Sequence, residues 1–362
     1  MASAVNYVWN YCNDTSYNQI KTMGRWLSKY DLNNLTTGCS KELGIAAQTV
    51  QSVCEEYVKK RIANKKSKLN WRSKKSLGWI PMKKAAIKYN NGEIIYNKET
   101  FKVWEDRAPR NIKCGSFNQD SRGRWYLNLV VEVEETPINK EGDVGVDLGL
   151  KSTATYSNGE VFEGRKPIRV YADKLAMAQR ANKKKLVKKI HSKILNIRKD
   201  SLHKETTMVA KKYGLVVVGD VSSKKLMKTR MAKSVSDVAW NTYKTLLAYK
   251  TIRFGGELKV VKESWTSRAC SNCGNVADWG GLSGLSVREW TCGSCGVSHL
   301  RDVNAAINIL RIGCDMPFKG VLNTRNTPSL SKVKDNGDVC SSNSGDSFNY
   351  PAHISQGESR RR

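Results

Sequence analysis

Two pairs of cysteines carry the clearest chemistry in the chain. Cys270-x-x-Cys273 is followed, after 18 intervening residues, by Cys292-x-x-Cys295. Each pair sets two thiolates on one tight turn, and Gly274 and Gly296 follow the pairs where the backbone must fold around its ligands. Soft thiolates at this spacing point to Zn²⁺. Four of them close its tetrahedral shell, so the expected site holds one structural zinc with no open catalytic position. His299 lies nearby and is not needed as a ligand; a surface or nucleic-acid contact is the role expected of it.

The acids are the second group. Asp147 lies in "GVDLG", at the end of an apolar run and among glycines that permit close approach of a ligand or ion. Asp302 opens the amphipathic stretch "RDVNAAINIL", seven positions after Cys295. Carboxylates gathered from distant points of a chain are how nucleic-acid hydrolases hold two Mg²⁺ ions ~3.5–4 Å apart. Mg²⁺ wants hard oxygen ligands and keeps several waters, so two or three carboxylates suffice. Taken singly, each acid also has a plainer role, Asp147 in a turn and Asp302 as a helix N-cap.

These residues need elements to position them. "DVGVDLGL" (143–150) reads as a buried strand, and "KSTATYS" and "GEVFEG" as strands joined at the hairpin dipeptide Asn158-Gly159. Residues 171–212 form a lysine-rich helical hairpin, and "GLVVVGD" (214–220) is a strand buried on both faces. A helix over 238–253 and a strand, "GELKVVKE" (256–263), follow. Earlier, residues 69–136 alternate with period two in "GEIIYNKETFKVW" and "GRWYLNLVVEVEE", the pattern of a small antiparallel β region. Residues 1–66 are helical and polar. Within them "SKELGIAAQTVQSVCEEYVKKR" reads either as a helix-turn-helix turning near Gly44 or as a plain bundle with a basic face. Residues 314–362, rich in Ser, Asn and Gly, read as a disordered tail.

With 362 residues the chain has room for two or three domains. No apolar run approaches the ~20 residues of a membrane span, and the opening residues carry no signal-peptide pattern. A membrane partner is therefore not expected, and the expected location is cytoplasmic, nucleoid-associated when bound to DNA. Lys and Arg number 62 against 33 acids, a formal charge of +29, which favours polyanions and nucleic acid above all. Lys183, Lys184, Lys185, Lys188 and Lys189 make a dense basic helix face suited to a phosphate backbone, or else a solvated charge run. The six other cysteines are scattered and read as reduced thiols.

Taken together, "GVDLGLKSTAT", "TSRACSNCG" and "WTCGSCGVSHLRDVNAAINIL", in that order, resemble the TnpB family, the transposon-encoded RNA-guided DNA endonucleases related to type V CRISPR effectors and Fanzor proteins. The resemblance implies a multidomain α/β and β fold. Residues 1–66 would be a helical recognition lobe and 67–140 a β-barrel wedge domain. Residues 141–263 with 300–313 would form a RuvC-type nuclease domain with an RNase H-like sheet, interrupted by a zinc ribbon at 264–299 and followed by the tail at 314–362. It implies that Asp147 and Asp302 face catalytic Mg²⁺. The implied partners are a guide RNA encoded near the gene and target DNA, double-stranded and single-stranded, with a monomer as the expected state. Family members commonly begin with a β-strand, whereas this chain opens directly on the helical "NYVWNYCND".

A chemical departure is more telling. The family's middle acid is usually a glutamate on the strand matching "GLVVVGDVSS", where this chain has Gly219. Asp220 is adjacent, but successive strand residues face opposite ways, so it could substitute only if the strand ends or bulges there. Glu263 is the preferred replacement. It precedes Cys270 by seven positions as Asp302 follows Cys295 by seven, and the zinc draws the two cysteine pairs together. Six intervening residues on each side can return both acids to one neighbourhood. The expected function is RNA-guided, Mg²⁺-dependent DNA cleavage. The alternatives are a nuclease-dead RNA-guided repressor and an RNA-independent zinc-ribbon DNA-binding transposon protein.

Overall fold

The computed structural model describes residues 1–90, 93–102, 111–133, 135–221, 232–279, 284 and 286–316. The expected tail lies outside the described residues beyond 316. The chain divides into two units, one spanning Met1–Val133 and a second whose described part spans 135–316. Among the described residues, no helix is long and apolar enough to cross a membrane.

In the first unit, α1 (Ala2–Met23), α2 (Lys29–Leu35), α3 (Cys39–Leu43) and α4 (Ala47–Asn64) precede six strands among the described residues. β1 (Trp79–Lys83), β5 (Ile112–Gln119) and β6 (Trp125–Val131) form one antiparallel sheet. β2 (Lys88–Asn90), β3 (Glu93–Tyr96) and β4 (Glu99–Lys102) form another. The expected break near residue 66 separates helices from strands but not cores. Val8 and Trp9 of α1, Val53 and Tyr57 of α4, and Ile80, Ile94 and Phe117 of the strands share one hydrophobic cluster. The candidate helix-turn-helix turns at Gly44, left-handed at φ 62°, but its first helix has only five residues. The second, α4, buries Val50, Val53, Cys54 and Tyr57 in this core, so α4 is a core helix. Glu55, Glu56, Lys59 and Lys60 balance on its outer side and Arg61 is buried, so the expected basic face does not form.

The second unit is built on a five-stranded mixed sheet in the order β11-β10-β7-β8-β9. These strands are β7 (Asp143–Asp147), β8 (Ala154–Tyr156), β9 (Val161–Phe162), β10 (Leu215–Gly219) and β11 (Glu257–Val261). β7, β10 and β11 run parallel, while β7–β8 and β8–β9 pair antiparallel, the latter through a turn at Gly159 with φ 89°. The α5–α6 hairpin (Pro167–Arg180, Lys184–Lys212) follows β9. The helices α7 (Ala232–Val238) and α8 (Trp240–Arg253) join β10 to β11.

Strand alternation assigns the two faces. Val144, Val146, Val216 and Val218 pack against Leu202 and Val209 of α6 and Tyr243 and Leu247 of α8. Val217 and Val261 point the other way, onto Ile309 of the last helix, α9 (Arg301–Gly313). That helix crosses β7, β10 and β11 at very close range. A Cβ on Gly145 of β7 would stand 2.0 Å from the Ala306 carbonyl oxygen and 2.8 Å from Leu310 Cβ. Ala305 and Ala306, both fully buried, keep the facing side of α9 equally small.

Gly145→Ala tests this close seat. The added methyl cannot fit without moving α9, and overpacking of this kind costs about 1–3 kcal/mol. The denaturant midpoint of the second unit should fall accordingly; an unchanged midpoint would mean that α9 yields freely.

Candidate metal centres

The two faces decide which acids can meet. Asp147 closes β7 in phase with Gly145, on the α9 side. Glu263 lies two residues beyond Val261, in phase with it and on the same side. Asp302 sits in the first turn of α9. The N-cap position is Leu300, so the capping role open to Asp302 is not the one it fills. Its carboxylate lies 3.7 Å from the Arg288 guanidinium.

The electrostatics register the convergence. Burial, then the negative charges of Asp302 and Glu263, push the Asp147 carboxyl up to about 7, opposed by Arg301. Glu263 is also raised, by burial first and then by Asp220, with Lys244 opposing. One oxygen of Glu263, Oε2, is buried without a hydrogen-bond partner. Such an orphaned carboxylate oxygen among further acids is the donor set a hard divalent cation requires.

Gly219 has a specific use here. A Cβ at this position would fall 2.6 Å from Glu263 Oε2 and 3.3 Å from Glu263 Cβ. The carboxylate reaching in from the end of β11 thus occupies the space that a side chain on β10 would fill. Asp220 faces the other way: it is largely exposed and bonds Lys244 of α8 at 3.0 Å. Its backbone N–H continues the sheet to Val261 O at 2.8 Å, so no bulge turns it toward Asp147.

The four cysteines form the second centre. Their sulfurs all lie within 4.8 Å of one another, with Cys270–Cys295 at 3.7 Å and Cys273–Cys292 at 3.6 Å. Tetrahedral zinc with bonds of ~2.3 Å places its sulfurs about 3.8 Å apart, so the set fits one Zn²⁺. Gly274 at φ 82° and Gly296 at φ 71° close the two knuckles, donating to Cys270 O and Cys292 O. The Val297 N–H, then the Asn272 amide, hold the Cys295 thiol down to about 6, whereas burial pushes Cys270 up to about 12. The hairpin of β12 (Glu289–Thr291) and β13 (Ser298–Leu300) carries the second knuckle. His299 turns inward rather than outward. Its Nε2 is 3.0 Å from Cys270 Sγ and its ring 4.9 Å from that of Trp290.

Lys183, Lys184, Lys185, Lys188 and Lys189 are all exposed at the start of α6. Leu186, Val187, Ile190 and Ile194 of the same helix pack against α5. Three further residues of α9, Asn304, Asn308 and Arg311, bond the chain at Ala269, just before the first knuckle, and at Ser271 within it, and sequence reasoning missed them. The available signal was two asparagines, four residues apart, on the apolar side of a helix.

Two family models match the chain: "Cas12f1-like, TNB domain" over residues 240–309 and "Probable transposase" over 128–230. A Streptomyces pristinaespiralis protein named "Putative RNA-guided DNA endonuclease" is 32% identical over 309 residues, covering 80% of this chain and 75% of that protein. The correspondingly named InsQ of Escherichia coli (strain K12) is 32% identical over 53% of this chain and 55% of its own. Among solved structures, a Cas12f1–sgRNA–target DNA complex matches with a TM-score of 0.56 at 14% identity, covering 84% of this chain and 81% of that one. At that identity the likeness shows a shared multidomain α/β fold.

Two outcomes follow from the geometry. Cys273→Ser or Cys295→Ser should lose the zinc and expose 264–299 to protease; full zinc content in either variant would remove that ligand from the set. The second concerns pH. Asp147 ionises near 3.8 when unfolded but near 7 when folded, so the metal-free protein loses stability as pH rises between those values. Asp147→Asn removes that loss and should stabilise the Mg²⁺-free protein by ~1–2 kcal/mol at pH 8, discounted for solvent screening because Asp147 is half-buried rather than buried, with little effect at pH 4. Equal melting shifts at both pH values would contradict the assigned repulsion.

Proposed function

The chain belongs to the TnpB family, and we propose that it is an RNA-guided DNA endonuclease that hydrolyses target phosphodiesters with divalent metal at Asp147, Glu263 and Asp302. The observation carrying this reading is the Glu263 carboxylate lying over Gly219, in the electrostatic field shared with Asp147 and Asp302. The mixed sheet with two parallel strands beyond β7 supports an RNase H-like, RuvC-type nuclease domain. The cysteine cluster supports a zinc ribbon inserted between β11 and α9. The shares assigned to a recognition lobe (1–66) and a wedge domain (67–140) rest on the helices and paired sheets of the first unit up to Val133, whereas Thr136 and Lys140 bond the second unit.

Bound Mg²⁺ supplies the Lewis acidity that activates water and stabilises the leaving oxygen of an in-line displacement. The chain's own part is to hold three carboxylates at one end of a rigid sheet, where burial raises Asp147 and Glu263 above the usual carboxylate range. Water adds to phosphorus and gives up a proton to solvent, the bond to one sugar oxygen breaks, and that oxygen takes up a proton from solvent, leaving a terminal phosphate and a hydroxyl. Base pairing of a guide RNA would select the target, and the +29 charge, the exposed lysines of α6 included, would hold phosphate backbones.

The test is expression together with the DNA flanking the gene, sequencing of the bound RNA, and cleavage of a matched duplex. Asp147→Ala and Glu263→Ala should abolish cutting while RNA and target binding persist. Asp220→Ala should keep most activity, and Gly219→Ala should slow cutting by displacing the Glu263 carboxylate. Full cutting by Glu263→Ala would end the relocated-acid assignment. No cutting by the unmutated protein, with RNA retained, would favour an RNA-guided repressor, and absence of RNA an RNA-independent DNA binder.

A further inference from the structure

The parallel ladder that positions β11 ends at Val261, opposite Gly219. Glu263 therefore stands beyond the sheet, and its place depends on the turn that follows it. In that turn Thr266 donates from Oγ1 to the Glu263 carbonyl at 2.9 Å and from its backbone N–H to the same oxygen at 3.3 Å. Trp265, an exposed tryptophan, is held at φ 70°. A bulky side chain in the left-handed region is strained and persists only where its surroundings over-determine it.

What determines it is α9. Asn308 Nδ2 donates to Thr266 O at 2.8 Å and to Ala269 O at 2.7 Å. Asn304 Nδ2 donates to Ala269 O at 2.8 Å and to Thr266 O at 3.2 Å, and its Oδ1 accepts from Ser271 N at 2.8 Å. Arg311 donates to Ser271 O. Asn304 and Asn308 are buried to within 1% exposure. The knuckle does not need them to close, since Cys270 N–Asn275 O and Gly274 N–Cys270 O bonds already do so. Asparagine is a poor helix former and its buried amide is costly unless fully bonded, so packing alone would favour apolar residues here. Asn304 lies two residues after Asp302 on the same rigid helix. Through Thr266 the asparagines thus clamp the turn that carries Glu263 to the helix that carries Asp302, while Arg311 ties Ser271 of the first knuckle to the same helix.

We propose that Asn304, Asn308 and Arg311 are positioning residues that set the separation of the Glu263 and Asp302 carboxylates. This rests on those carboxylates being the metal ligands proposed above. A shift of an ångström or less at a metal ligand is enough to affect both affinity and rate.

The test uses the full chain with its co-purified RNA and the variants Asn308→Ser, Arg311→Ala and Arg311→Lys, with Asp147→Ala as reference. Mn²⁺ binding is titrated by electron paramagnetic resonance, alongside kcat, KM and half-saturating Mg²⁺ for matched DNA, zinc content and melting temperature. Asn308→Ser and Arg311→Ala should weaken Mn²⁺ binding about 10-fold, as loss of a supporting hydrogen bond does at metal sites. They should also raise the Mg²⁺ requirement and lower kcat ~10–100-fold with KM nearly unchanged and zinc retained. Arg311→Lys, which keeps a donor, should recover most of the loss. Should Asn308→Ser fold poorly, Arg311→Ala carries the same readouts from the half-buried last turn. Unchanged Mn²⁺ affinity and Mg²⁺ requirement beside a lowered melting temperature would reduce the clamp to a structural brace and overturn the proposal. Mn²⁺ bound no better by the unmutated protein than by Asp147→Ala would overturn the metal-site reading itself, and the proposal with it.

Discussion

The second unit depends on the absence of one methyl group. At Gly145 the backbone of β7 and the carbonyl of Ala306 approach so closely that no Cβ can stand between them. That contact seats α9 flat on the sheet and brings Asp302 within the electrostatic reach of Asp147. A helix held one side chain farther out would leave Ile309 short of Val217 and Val261, and Asp302 in solvent. Close seating is favourable for packing and unfavourable for charge. It gathers carboxylates that repel, which is why Asp147 is pushed toward neutrality rather than ionised as an ordinary surface acid would be. A site of this kind stores in the metal-free state the electrostatic cost that cation binding relieves.

Glu263, proposed to replace the family's middle glutamate, obeys the same steric logic. Gly219 and Glu263 are one unit: the strand gives up its side chain so that a carboxylate from the neighbouring strand's exit can enter the vacated volume. Strand parity excludes the adjacent acid as a replacement. Asp220 belongs to the α8 side, where Lys244 pairs with it. An acid one residue away in sequence is therefore on the wrong side of the sheet, while one 44 residues away, after a whole crossover, is in place. Distance along the chain is a poor guide here, and the period of two is a good one.

That period is why much of this was legible beforehand. The valines of 144–146 and 216–218 announce buried strands, the lysine-rich hairpin falls where its periodicity puts it, and the knuckles close at the glycines that follow each cysteine pair. The features that escaped share a different physics. Asn304, Asn308 and Arg311 act through side-chain to backbone bonds across 33–42 residues, and no local propensity encodes a partner that far away. The inward turn of His299 depends on where Trp290 and Cys270 stand, not on its own neighbours in sequence. The shared core of the first unit was hidden because a compositional break near residue 66 marks a change of element, which need not be a change of core.

The tie between the metal knuckle and Asp302 then has a mechanical account. The ribbon leaves the sheet beyond Val261 and returns to it at Arg301, so both of its stalks border acids. An insertion at such a point would loosen them unless its base were fastened, because both stalk ends lie outside the ladder. The four cysteine sulfurs, a set that fits one Zn²⁺, gather at the far end within 4.8 Å of one another. The asparagines of α9 fasten the near end, where the chain has just left Glu263. With both ends fixed, the ribbon becomes a closed loop whose base holds Glu263 and Asp302 together, and motion of its tip need not reach the carboxylates.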